Sequence, residues 1–201
     1  MNDLDYIQPP DLAPAIAAHT EVLSFPMQSE SRTGALLRTL AASKPGGRFL
    51  ELGTGTGMGT AWLLDGMDKS SKLTSVDTNL QWQAAAKDVL GHDTRLRLVL
   101  EDAADFLRRQ PAHSYDLVFA DAIRGKYEAL EEALAVVKPG GFYIIDDMLP
   151  QPSWPEGLAE RIPVLLECLA GDKRFQLVPM AWASGVVVLV RKAESATEEG
   201  S

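Results

Sequence analysis

Cysteine is all but missing from this chain. Cys168 is the only one in 201 residues, so no intrachain disulfide can form, and a reducing cytoplasm is the expected setting. It falls in the apolar pattern Val164-Leu165-Leu166-x-Cys168-Leu169, where a small buried side chain is expected rather than a nucleophile. Long hydrophobic runs are missing too. The stretch Val186 to Val190 is only strand-length, far short of the roughly 18 residues of a membrane span. The start, Met1-Asn2-Asp3-Leu4-Asp5, lacks the charged-then-apolar pattern of a secretory signal. Positive charge is scarce: 19 Lys and Arg against 28 Asp and Glu give a net charge of −9 and a pI near 4.8. Phosphate backbones are bound mainly by clustered cations. Arg95 with Arg97, and Arg108 with Arg109, sit beside acids and read as solvated faces, so neither a nucleic-acid nor a membrane partner is expected.

What the chain does have is an ordinary globular balance, 46% apolar and 23% charged, enough for one core. The expected organisation is one domain over 26–192, an N-terminal extension over 1–25, and a polar, disordered tail over 193–201. Short apolar strands alternate with amphipathic helices. Strands are expected at Phe49 to Leu52, Leu73 to Asp77, Arg95 to Leu100, Tyr115 to Ala120 and Phe142 to Ile145. Helices are expected at Ser29 to Ala42, from Ala61, and at Gln81 to Leu90, Ala103 to Arg109 and Tyr127 to Val137, the last closed by Lys138-Pro139-Gly140-Gly141. This rhythm predicts an α/β fold: a Rossmann-like, seven-stranded, mostly parallel sheet with helices on both faces. Phe175 to Pro179 and Gly185 to Val190 stand too close together for a parallel crossover, so the sheet should end in an antiparallel hairpin.

The densest signal is Phe49-Leu50-Glu51-Leu52-Gly53-Thr54-Gly55-Thr56-Gly57-Met58-Gly59-Thr60. A strand runs into an acid and four alternating glycines, then a helix, which lets backbone approach a ligand closely. A dinucleotide fingerprint needs Gly or Ala at the sixth position. Counting from Gly53 gives Met58 and from Gly55 gives Thr60, so it fails in both registers. The remaining pattern, acidic-x-Gly-x-Gly-x-Gly, resembles the first motif of S-adenosylmethionine-dependent methyltransferases. Asp77 ends the next strand, where a carboxylate could take both hydroxyls of a ribose or simply cap the Thr78-Asn79 turn. Asp102 and the N–H of Ala103 could meet an adenine, or Asp102 could only cap a helix. Glu51 would lie near the positive amino acid end of such a cofactor.

The ordered set Phe49 to Thr60, Val76-Asp77, Glu101-Asp102-Ala103, Phe119-Ala120-Asp121-Ala122, Tyr127, Lys138 to Gly141 and Ile145-Asp146-Asp147 is similar to the small cation-dependent O-methyltransferases. These include catechol and caffeoyl-CoA O-methyltransferases and many bacterial relatives. The resemblance implies methyl transfer from S-adenosylmethionine to a hydroxyl of a small, phenolic or catecholic acceptor. Glu51, Gly53, Gly55, Gly59, Asp77, Asp102, Ala103 and Asp121 would hold the cofactor. Asp121, Asp146 and Asp147 would hold a divalent cation, Mg²⁺ or Mn²⁺. It also implies a homodimer. Two positions depart from the family. Asp147 replaces its Asn, and Arg124 replaces its catalytic Lys. Arg124 stays protonated and can act only electrostatically; Lys126 could take the base role or be a solvated first-turn residue. Trp154, in the Pro-rich stretch Pro150 to Pro155, could wall the acceptor pocket or pack on the core; Trp182 is another candidate wall, and the resemblance places Met27-Gln28-Ser29 where the N-terminal segment meets the cofactor. The alternatives are a nicotinamide-dependent oxidoreductase and a non-catalytic cofactor-binding protein.

Overall fold

A computed structural model describes residues 2–151, 154 and 156–193. Most of the expected disordered tail, from Glu194 on, lies outside them. After a 3₁₀ turn at Asp3–Tyr6, the helices are α1 (Ala13–Val22), α2 (Ser31–Ala42), α3 (Met58–Gly66), α4 (Leu80–Leu90), α5 (Ala103–Arg108), a short irregular α6 (Ile123–Lys126), α7 (Leu130–Ala135) and α8 (Arg161–Gly171). The strands are β1 (Arg48–Leu52), β2 (Lys72–Asp77), β3 (Leu96–Leu100), β4 (Tyr115–Ala120), β5 (Val137–Ile145), β6 (Phe175–Met180) and β7 (Val186–Arg191).

The seven strands form one sheet in the order β3-β2-β1-β4-β5-β7-β6. Strands β1 to β5 pair in parallel, and β7 is antiparallel to both of its neighbours, β5 and β6. The expected closing hairpin is therefore present, folded so that its second strand is the inner one.

Alternation along the strands supplies two apolar faces. Leu50 and Leu52 of β1 pack with Phe106 of α5, Leu134 of α7 and Leu165 of α8. Phe49 of the same strand packs with Ile16 of α1, Leu37 of α2 and Trp62 of α3. The N-terminal segment is thus built into one of the two layers. Ile16 is fully buried, and the Thr20 hydroxyl bonds the Thr56 hydroxyl at 2.7 Å, inside the glycine loop.

Helix starts follow their capping chemistry. Asn79 accepts from Gln81 N and Trp82 N, and Asp102 accepts from Ala104 N and Asp105 N. The single helix expected over Tyr127 to Val137 is instead broken. Ala129 at φ 53° delays the start of α7 to Leu130, Gly125 at φ 91° makes a separate turn before it, and Val137 already pairs with Tyr115 as the start of β5. The Gly125 turn is held from inside the core, where its carbonyl accepts the Tyr143 hydroxyl. Cys168 also differs from expectation. The inward residues of α8 are Ile162, Leu165 and Leu169, which rotates Cys168 to the surface.

Candidate active site

The glycine loop joins β1 to α3 at the carboxyl edge of the sheet. Gly53 has φ 104°, and its N–H donates to the Val76 carbonyl at 2.9 Å. A Cβ there would stand 2.5 Å from the Asp121 carbonyl oxygen, so only glycine lets β1, β2 and β4 finish side by side. Gly59 opens α3 over the Glu51 carboxyl; a Cβ would come within 2.6 Å of Glu51 Oε1. Above this loop lies a cavity of about 480 Å³, with walls that include Gly53, Gly55, Asp77, Asp102, Ala103 and Asp121. The volume is in the range of small-molecule sites, roughly 300–1,000 Å³.

Most sequence-predicted residues meet there. Asp77 accepts the Gly55 N–H on Oδ2 at 2.8 Å and the Asn79 N–H on Oδ1 at 2.7 Å, so it both shapes the loop and faces the cavity. Asp102 caps α5 with Oδ1 at 2.8 Å from Ala104 N. Its Oδ2 meets Arg124 Nε at 2.9 Å. Glu51 is placed differently. It is fully buried behind the loop and is not part of the cavity wall. Its Oε2 accepts from Thr60 and Ser75, while among the described residues Oε1 has no partner. Burial, reinforced by the Asp77 charge and opposed by those two hydrogen bonds, pushes its carboxyl up to about 8.

A second cavity of about 230 Å³ lies beside the first and shares Met27, Ser29, Asp121, Asp147 and Trp154 with it. Asp121 follows β4 and accepts from Ser29 Oγ at 3.3 Å. Asp146 follows β5 and is 2% exposed. Its Oδ1 accepts from Thr33 Oγ1 at 3.3 Å, Ser184 Oγ at 2.7 Å and Asp147 N at 2.9 Å. Burial raises both carboxyls, and repulsion between neighbouring acids adds to it, with Lys126 pulling in the opposite direction. Asp147 sits in the left-handed region at φ 53°. The donor set, three hard carboxylates short of positive charge, suits a divalent cation chemically. As the side chains stand, however, no group of three or more His, Cys, Asp or Glu among the described residues is gathered to hold a metal ion.

The two cations separate. Arg124, its side chain 46% exposed, reaches toward Asp102 and, at 3.6 Å, Glu128. It is tied to the end of β3, away from the acid trio. Lys126 is only 5% exposed and lines the large cavity. The solvated reading of Lys126 is therefore wrong: the Gly125 turn carries it inward. Trp154 faces both cavities, as one expectation had it; its neighbours Pro152, Ser153 and Pro155 lie outside the described residues. Trp182 is not a wall. Its indole N–H donates to Asp3 Oδ2 at 2.9 Å and anchors the N-terminal turn. Met27, Gln28 and Ser29 do line the site.

Sequence reading missed Phe25 and Trp82, whose rings meet at a 51° tilt with centroids 4.6 Å apart at the cavity wall. Phe25 Cζ would be 2.9 Å from a Cβ on Gly55, so the segment between α1 and α2 closes over the glycine loop. An aromatic three residues past the Asn79 cap was the available signal.

Residues 50–148 match the family model described as "Methyltransferase domain". A Mycobacteroides abscessus protein, provisionally described as an O-methyltransferase, is 29% identical over 170 residues, covering 79% of this chain and 78% of that protein. The chain is thus similar to S-adenosylmethionine-dependent O-methyltransferases. A Mycolicibacterium vanbaalenii relative with the same provisional description is 34% identical over 117 residues, 56% of this chain and 52% of its own. Two solved structures share the methyltransferase's fold. The O-methyltransferase TomG of Streptomyces achromogenes, involved in tomaymycin synthesis and solved with S-adenosylmethionine, has a TM-score of 0.78 at 20% identity, covering 93% of this chain and 92% of its own. A Bacillus cereus O-methyltransferase solved with S-adenosylhomocysteine has a TM-score of 0.79 at 19% identity, with 94% of each chain covered. The family model and the curated relatives speak for methyl transfer rather than the nicotinamide-dependent alternative. Among the described residues no helix is long and apolar enough to cross a membrane.

Proposed function

We propose that this methyltransferase methylates a hydroxyl of a small phenolic or catecholic acceptor, which sits in the smaller cavity and reaches toward the larger. The observation that carries this reading is the shared wall: Asp121, Asp147 and Trp154 face both cavities, with buried Lys126 lining the larger one. The cofactor, when bound, supplies a methyl group on a sulfonium for in-line displacement. Gly53, Gly55, Gly59, Asp77 and Ala103 would seat and orient it, Asp77 through its carboxylate and the glycines through close backbone approach. Glu51 would act from beneath the loop. Alignment of this kind removes much of the barrier, with effective molarities of about 10⁵ to 10⁸ M in favourable cases. Lys126 would hold its ammonium against the acceptor oxygen as the hydroxyl loses its proton to water, stabilising the developing oxyanion. Arg124 would act indirectly, by fixing Asp102 at the rim.

A divalent cation belongs to the proposal by donor chemistry. Asp121, Asp146 and Asp147 would hold Mg²⁺ or Mn²⁺, and the ion would make a bound phenol easier to ionise. A cytoplasmic homodimer with residues 26–192 as the catalytic unit rests on the resemblance and on the lone cysteine. The deciding experiment is transfer of a labelled methyl group from S-adenosylmethionine to a panel of catechols and phenols, run with and without EDTA. Turnover with any of them supports the reading. Cofactor binding without turnover of any acceptor would favour a non-catalytic cofactor-binding protein instead.

A further inference from the structure

We infer that Tyr127 is a catalytic residue, its hydroxyl donating a hydrogen bond to the acceptor oxygen as that oxygen takes the methyl group; this rests on the O-methyltransferase reading above. Among the described residues two buried side-chain atoms lack a hydrogen-bond partner, Glu51 Oε1 and the Tyr127 hydroxyl. Glu51 lies behind the glycine loop. Tyr127 lines the larger cavity, beside Lys126.

Every other part of Tyr127 is engaged. Its N–H donates to the Ile123 carbonyl at 2.8 Å, and its carbonyl accepts from Arg161 Nη2 at 3.4 Å. The Arg161 guanidinium lies over the ring, 4.4 Å from its centroid. The ring also packs against the core layer that Trp154 joins. Only the hydroxyl is idle. A buried donor without a partner is costly, so it calls for a reason such as a role in catalysis.

Burial raises the hydroxyl's pKa above its ordinary value, the Arg161 charge lowers it, and the Asp147 charge raises it. The group therefore keeps its proton at neutral pH and serves as a donor, not as a base. Asp147, whose charge it feels, lines both cavities, so the hydroxyl stands near their shared wall. In the transfer, the acceptor hydroxyl gives its proton to water. An oxygen lone pair forms the new bond to the methyl carbon, and the methyl–sulfur bond breaks with its electrons returning to sulfur. Before the new bond is complete, negative charge gathers on the acceptor oxygen. Lys126 meets that charge as an ammonium, and Tyr127 meets it as a second, neutral donor.

The test is Tyr127→Phe, which removes one oxygen and keeps the ring. Steady-state transfer from S-adenosylmethionine to catechol and to its nitro derivative is measured beside urea melts of the cofactor-free protein. With catechol, kcat is expected to fall about 10–10²-fold, the scale of one hydrogen bond to a charged group. KM should hold, as for an interaction made only in the transition state, and so should affinity for S-adenosylhomocysteine. The nitro derivative spreads the charge of its own oxyanion, so its loss should be smaller. The urea midpoint should hold or rise, because the hydroxyl takes no partner with it. A lower midpoint, equal losses with both catechols, or an unchanged kcat would overturn the inference and leave O-methyl transfer standing. No turnover of either catechol by the unmodified enzyme would sink the reading of the acceptor and this inference together.

Discussion

Glu51 gives the sharpest quantitative expectation. Its carboxyl is fully buried with one oxygen unpartnered among the described residues, and burial raises it from near 4.5 in its ordinary state to about 8. The folded protein therefore holds this proton more tightly than the unfolded chain does. A raised carboxyl contributes stability that is fully present below the unfolded value and is lost as pH climbs toward the folded one. The sensitivity is about 1.4 kcal/mol for each pH unit in that window. Integrated from 4.5 to neutrality, the loss is roughly 3 kcal/mol. Glu51→Gln keeps a carbonyl oxygen for Thr60 and Ser75 and removes the titration. In urea melts of the cofactor-free protein between pH 5 and pH 8, the variant should match the parent at the acid end. It should then gain on the parent steadily, by roughly 2–3 kcal/mol near neutrality. A thermal melt should show the same gain, at about 2–4 °C per kcal/mol for a chain of this size. Curves that stay parallel across the range would refute the argument, because they would mean Glu51 titrates alike folded and unfolded.

Four further expectations address the site. Asp77→Ala should weaken S-adenosylmethionine binding by about 1–3 kcal/mol in calorimetry, since its carboxylate both faces the cavity and holds the Gly55 N–H; unchanged affinity would remove it from the site. Lys126→Met should lower kcat by about 10²–10³ with cofactor affinity preserved, whereas Arg124→Ala should cost far less; the reverse ranking would reassign the oxyanion partner. Phe25→Ala should weaken the cofactor by about 1 kcal/mol through loss of the aromatic contact with Trp82, and intact binding would show that this wall is dispensable. Chelation, or Asp146→Asn, should reduce turnover if the acid trio works with a divalent cation; full activity in EDTA would separate the cation proposal from methyl transfer.

The parallel strands were legible because strands buried on both faces are continuous apolar runs, as in Tyr115 to Ala120, and the antiparallel β7 carries a similar run at Val186 to Val190. The glycine loop was legible because its spacing leaves no other residue choice, as the approach of Gly53 to the Asp121 carbonyl illustrates. The misreadings have local and tertiary causes. Ile162, Leu165 and Leu169 do follow a helical period, and applying it strictly would have put Cys168 outside. Lys126 could not be placed from its neighbours, since its burial depends on a turn at Gly125 bonded to Tyr143, 18 residues away in sequence. Trp182 bonds Asp3 across 179 residues, a partnership without a sequence pattern.

Asp147 has a torsion that few side chains tolerate. Asparagine, glycine and aspartate accept it readily, while alanine or a branched residue is strained there. Of those three, only aspartate brings an anion. Geometry and charge can therefore be varied independently at one codon: asparagine keeps the bend and drops the charge, and glutamate does the opposite. Whichever replacement the enzyme survives will say what this corner of the sheet is for.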